Sequence, residues 1–132
     1  MKSILLVEDD PFLIDIYTTK FKESGFQVEV ASDGEMAVKK AAERKFDIII
    51  LDIVLPQMDG WEVLAKMQAM NDKPSSSPRQ GSVNDDLKII VLSNLGQKEE
   101  VEKGLKLGAD KYLIKAHYTP SEVVAEIKKV LK

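Results

Sequence analysis

The run Ile48-Ile49-Ile50-Leu51 constrains this chain more than any other segment. It is apolar without alternation, and isoleucine is β-branched and stiff, which favours extended backbone. A strand that is apolar on both faces must be covered on both sides, the situation of a parallel sheet flanked by helices. The run is far shorter than the roughly 18 residues a membrane-spanning helix needs. Ile4-Leu5-Leu6-Val7, Ile89-Ile90-Val91-Leu92 and Tyr112-Leu113-Ile114 read the same way. Val28 and Val30 alternate with polar neighbours, as an edge strand would.

Helical patterns fill the gaps between these strands. Asp10-Pro11 is a start signal, because Asp accepts from free N–H groups and Pro suits the first helical position. Phe12, Leu13, Ile16, Tyr17 and Phe21 follow at helical spacing, and Gly25 supplies a stop. Ser32-Asp33-Gly34 opens a second helix with Ala37, Val38, Ala41 and Ala42 on one face. Asp59 precedes a third that carries Trp61, Leu64, Met67 and Met70. Trp61, with Met58 and Met67, reads as core. Val101, Gly104, Leu105 and Leu107 mark a fourth, ended by Gly108. Thr119-Pro120-Ser121-Glu122 is a capping-box pattern opening the last, with Val123, Val124, Ile127, Val130 and Leu131 inward.

Five strands alternating with five helices predict an α/β doubly wound parallel sheet. The 132 residues make one domain, 1–132. Residues 71–86, polar and rich in Pro and Ser, are expected to form a flexible loop between helix 3 and strand 4. With no cysteine, thiol catalysis, disulfides and cysteine metal sites are excluded. The N-terminal apolar run stops at Glu8-Asp9-Asp10, unlike a signal peptide, so a cytoplasmic location is expected. A net charge of −3 without a basic stripe argues against direct nucleic-acid binding.

In such sheets ligands sit beyond the carboxyl ends of the strands. There the sequence gathers Glu8, Asp9 and Asp10, then Asp52, then Ser93 and Asn94, then Lys115. Taken singly, each could merely cap a helix or solvate a loop, and Asp10, Asp33 and Asp59 are read as caps. Together they are chemically complete. Crowded carboxylates repel unless cations intervene, and a hard divalent cation such as Mg²⁺ suits an all-oxygen set. A carboxylate beside such an ion, an ammonium and a hydroxyl can attack a phosphoryl group.

Val7-Glu8-Asp9-Asp10, Asp52-Ile53-Val54-Leu55-Pro56-Gln57-Met58-Asp59-Gly60, Ser93, and Gly108-Ala109-Asp110 with Tyr112 and Lys115 resemble the response-regulator receiver family over essentially the whole chain. The resemblance implies a flavodoxin-like sheet in the order 2-1-3-4-5. It implies that Asp52 accepts a phosphoryl group from a sensor histidine kinase or a histidine phosphotransfer protein. Asp9, Asp52 and the Val54 backbone carbonyl would bind Mg²⁺, with Glu8 acting through metal-bound water. Ser93 would bond a phosphoryl oxygen, Lys115 would pair with the phosphate, and Tyr112 would rotate as the state changes. Tyr112 taken alone reads equally well as a packing residue.

The family usually has Pro after this lysine, often preceded by a cis bond, where Ala116 stands here. A cis bond to a non-proline residue costs about 2.5–4 kcal/mol. Asn94 is larger than the family's common choice, and the segment Ala116 to Thr119 reads as one residue longer than usual. His117 reads as a surface turn residue. Three other functions compete. A dehalogenase-type phosphatase would need an acid two residues after its nucleophile, where Val54 stands. A nucleotide or flavin binder would need a Gly- or Ser/Thr-rich loop where Glu8-Asp9-Asp10 lies. A docking module would need no such acid, hydroxyl and lysine set. The expected product is therefore a regulator, not an enzyme: a monomer without an output domain of its own, switching a surface for a downstream protein target.

Overall fold

A computed structural model describes residues 2–71 and 87–131. The strands are β1 (Ser3–Val7), β2 (Gln27–Ala31), β3 (Ile48–Leu51), β4 (Lys88–Ser93) and β5 (Lys111–Ile114). All pair in parallel, in the order β2-β1-β3-β4-β5. The helices are α1 (Pro11–Glu23), α2 (Gly34–Glu43), α3 (Gly60–Asn71), α4 (Lys98–Lys106) and α5 (Pro120–Val130). The doubly wound expectation and its strand order hold. Of the expected 71–86 loop, Asn71 closes α3 and 72–86 lie outside the described residues.

Strand alternation sorts the core into two layers. Leu5, Val7, Ile49, Leu51, Ile89 and Val91 pack with Ala37 and Ala41 of α2 and with Val63, Leu64 and Met67 of α3. Their neighbours Ile4, Leu6, Ile48, Ile50, Ile90 and Leu92 pack with Tyr17 and Phe21 of α1 and with Val123, Val124 and Ile127 of α5. Each such aliphatic side chain stabilises by roughly 1.5–3 kcal/mol when fully buried. Phe26 and Phe46, just before β2 and β3, also join these layers.

The start signals act as read. Asp10 Oδ1 accepts from the N–H groups of Phe12 and Leu13, at 2.9 and 3.4 Å. Asp33 Oδ1 accepts from Met36 N at 2.8 Å, and Asp59 Oδ1 from Glu62 N at 3.0 Å. Thr119 and Glu122 form the reciprocal capping box. Three apolar residues of the helical patterns are exposed: Ala42, because α2 needs only its Ala37–Ala41 stripe, Phe12, 72% exposed at the first turn of α1, and Leu105, 46% exposed on α4. After β5 the chain forms a 3₁₀ turn at Lys115–His117 with only trans peptide bonds among the described residues, so the turn differs from the family's proline form.

Candidate functional site

The parallel register puts the ends of β1 and β3 side by side, with Val7 opposite Leu51. The next residues are Glu8 and Asp52, fixed by Glu8 N donating to Ala31 O at 3.1 Å and Asp52 N donating to Val7 O at 3.0 Å. Both are buried, at 2% and 6% exposure. Lys115, immediately after β5, reaches across β4 to them. Its Nζ donates to Glu8 Oε1 at 2.6 Å and to Asp52 Oδ2 at 2.8 Å.

Burial disfavours charge on each of these groups, and the outcome differs. It pushes the Glu8 carboxyl above the ordinary glutamate value, with Lys115 pulling the other way. Burial would also lower Lys115, but its bonds to Asp52 and Glu8 outweigh that and raise it. The ammonium therefore stays charged.

The remaining carboxylate oxygens are also oriented. Asp52 Oδ1 accepts from Val54 N at 3.1 Å, and Glu8 Oε2 from Asp10 N at 3.2 Å. Asp9 is exposed, yet one oxygen each from Glu8, Asp9 and Asp52 lie within 4.8 Å of one another. Three carboxylates facing one ammonium leave a surplus of negative charge. This all-oxygen donor set, partly open to water, fits a hard divalent cation.

Asp52 is held from behind by α3. A Cβ on Gly60 would lie 2.3 Å from Ile53 Cα and 2.6 Å from the Asp52 carbonyl oxygen, so only glycine permits this approach. Gly60 N completes the clamp by donating to Ile53 O at 2.8 Å. Val54, whose N–H bonds Asp52, is 57% exposed at the mouth of the site.

Ser93 is fully buried at the end of β4, and its Oγ accepts from Leu95 N at 3.3 Å. Tyr112 is half-buried on β5, and its hydroxyl donates to Leu95 O at 2.5 Å. Burial, then Glu100 and Asp52, push its phenol above the ordinary tyrosine value. The sequence-predicted residues thus form two groups: Glu8, Asp9, Asp52 and Lys115 share charge, while Ser93 and Tyr112 meet at Leu95. Asn94 and His117 are exposed. Asn94 lines, with Lys115, Leu13, Ile16, Tyr17 and Tyr118, a cavity of about 410 Å³ beside the site. Sequence reasoning missed the Leu95 carbonyl, a backbone group with no residue signature. It also missed the phenol of Tyr17, buried in the field of Lys115, Glu8 and Asp52. Its place in a core stripe concealed that.

Comparison with known proteins agrees with this geometry. The response regulator receiver domain model matches residues 4–128. The alkaline phosphatase synthesis transcriptional regulatory protein PhoP of Bacillus subtilis is 35% identical over 99% of this chain and 49% of its own length. The transcriptional regulatory protein CusR of Escherichia coli is 33% identical over 98% of this chain and 51% of its own. The chain thus spans about half the length of these curated relatives. Among solved structures, a Francisella response regulator 1452 receiver domain superposes with a TM-score of 0.83 at 27% identity, covering 99% and 97% of the two chains. A chain of the CheX–CheY–BeF3–Mg complex of Borrelia burgdorferi gives 0.84 at 27% identity, covering 99% and 90%. Sequence match, strand order and acidic cluster lead to one assignment: the chain belongs to the response regulator receiver domain family, the receivers of two-component signalling.

Proposed function

We propose that Asp52 is the phosphoacceptor of this receiver, loaded from a phosphohistidine on a sensor kinase or phosphotransfer protein. The supporting observation is the cluster of Glu8, Asp9 and Asp52 carboxylates beyond the sheet edge, of which Glu8 and Asp52 bond Lys115. A carboxylate oxygen of Asp52 attacks phosphorus, the P–N bond breaks, and the imidazole leaves and takes a proton from solvent. Lys115, already bonded to Asp52, stands in reach of a phosphoryl oxygen, and Ser93 bonds another once its loop moves inward. Asp9, Asp52 and the Val54 carbonyl would hold Mg²⁺, with Glu8 bonding its water. The ion would neutralise charge on the phosphoryl oxygens. A relative bound to BeF3 and Mg, a phosphoryl-like pair, supports this. Val54, where a phosphatase would carry its acid, supports a regulator over a turnover enzyme.

The test is incubation with acetyl phosphate, with intact mass as the readout. One phosphoryl group is expected, only with Mg²⁺ present. Asp9→Ala should weaken Mg²⁺ so that loading needs about tenfold more of the ion, a change of ~1.4 kcal/mol. Loading at the parent's Mg²⁺ concentration would remove Asp9 from the site.

We take 1–132 as one receiver domain, of which residues 72–86 lie outside the described residues. No helix among the described residues is long and apolar enough to cross a membrane. The output goes to a protein partner through the face of α4, β5 and α5. On that face Lys111 Nζ bonds Glu126 Oε1 at 2.5 Å, and Lys129 adds a second bond at 3.2 Å. The Lys111 bond holds the Glu126 carboxyl below the ordinary glutamate value. Charges already paired within the chain offer little to a dimer built on charged pairs. The chain should therefore sediment as a monomer with or without a phosphoryl mimic. A mimic-dependent dimer would contradict this.

A further inference from the structure

Helix α4 carries a glycine, Gly104, in its interior, where alanine would favour the helix by roughly fivefold. A glycine kept there needs a packing reason, and Tyr112 supplies one. A Cβ on Gly104 would lie 2.6 Å from Tyr112 Cδ2 and 2.9 Å from Cε2. Real Cβ atoms do not approach ring carbons that closely. The nearest Trp61 atom, Cζ3, would be 3.7 Å away, an ordinary contact. Lys103 Nζ meanwhile stands over the Trp61 ring, 4.5 Å from its centroid, tying α4 to α3 at this level. The Tyr112 ring thus lies on bare helix backbone.

The contacts continue inward. The hydroxyl of the seated ring donates to Leu95 O at 2.5 Å, and Leu95 N donates to Ser93 Oγ at 3.3 Å. Three consecutive contacts thus connect the backbone of α4 to the Ser93 hydroxyl. We propose that Gly104 is a positioning residue: by leaving room for the Tyr112 ring it sets the ring's place, and through Leu95 the place of Ser93. Its effect on phosphorylation rests on the reading of Asp52 and Ser93 given above, whereas the seating of the ring does not.

The test is a double-variant cycle with two readouts. In denaturant unfolding, Gly104→Ala should lower the folding equilibrium constant by about tenfold while Tyr112 is present, as overpacking does. In a Tyr112→Ala background the clash is gone, and the same change should raise it by about fivefold through helix propensity. Tyr112→Val serves as the background if Tyr112→Ala does not fold. A Gly104→Ala chain that folds only in the reduced background gives the same answer. Equal effects in both backgrounds would overturn the seat. In acetyl phosphate loading, Gly104→Ala should slow uptake between about twofold and thirtyfold, the range of packed-network couplings. In the Tyr112→Ala background it should slow it no further. Unchanged uptake in the Tyr112 protein would overturn the link to Ser93. If the parent took up no phosphate at all, the Asp52 reading would fail, and the unfolding cycle would still decide where the ring is seated.

Discussion

Asp52→Asn should take up no phosphoryl group from acetyl phosphate and Mg²⁺, with intact mass as the readout. The amide keeps the shape of the side chain and an oxygen for the Val54 N–H, but it lacks the anionic nucleophile. The fold should survive, because Lys115 keeps its 2.6 Å bond to Glu8 and the cluster loses a negative charge from a crowded site. Circular dichroism and cooperative unfolding check that point. Asp9, exposed at the same edge, is the alternative acceptor. A phosphoryl mass on Asp52→Asn would move the assignment there.

The second large effect concerns the lifetime of the acyl phosphate. Hydrolysis needs a water in line behind phosphorus, and the resemblance to the receiver family implies that the residues two after Asp52 and two after Ser93, here Val54 and Leu95, flank that approach. Neither can hold a water or move a proton, so self-dephosphorylation should be slow and the signal should end through a partner or onward transfer. Val54→Asn with Leu95→Glu should speed decay by about tenfold, equivalent to ~1.4 kcal/mol of barrier. The two positions are not equal. Val54 is exposed at the mouth of the site, so Asn there reaches water at little structural cost. Leu95 is half-buried and packed against the core layer under α2 and α3, so Glu there also costs stability. Val54→Asn alone should carry most of the acceleration, while Mg²⁺-dependent loading stays intact. Radiolabel or mass decay measured in both variants decides it, and rates equal to the parent's would reject the argument.

Much of this arrangement was legible in the sequence, for reasons particular to its residues. Unbroken apolar runs ending in Asp52, Ser93 and Lys115 specify buried parallel strands, and parallel strands bring those ends to one edge. Asp10, Asp33, Asp59 and Thr119 announced their helices because capping is local chemistry. What stayed hidden was non-local. Nothing in Ala116-His117 shows that the chain takes a 3₁₀ turn and still delivers Lys115 to Glu8. Gly104 looked like one more helix marker, because its meaning lies in a ring eight residues later. A usable signal was present in strand alternation. Tyr112 falls opposite Val91, in the layer under α2 and α3, whereas Leu113 falls in the layer under α1 and α5. That parity separates Ser93 and Tyr112 from the charged group.

Lys115 lies 107 residues from Glu8 and 63 from Asp52 along the chain. Contacts of such separation form only after the intervening chain has been organised, because loop closure must be met first. A nascent chain that has exposed β1 to β4 would hold its carboxylates together against their own repulsion, with no ammonium between them. Docking of β5 relieves that repulsion and completes the reactive edge in one event. The charge balance of this edge is thereby a property of the finished fold and of no shorter stretch of the chain.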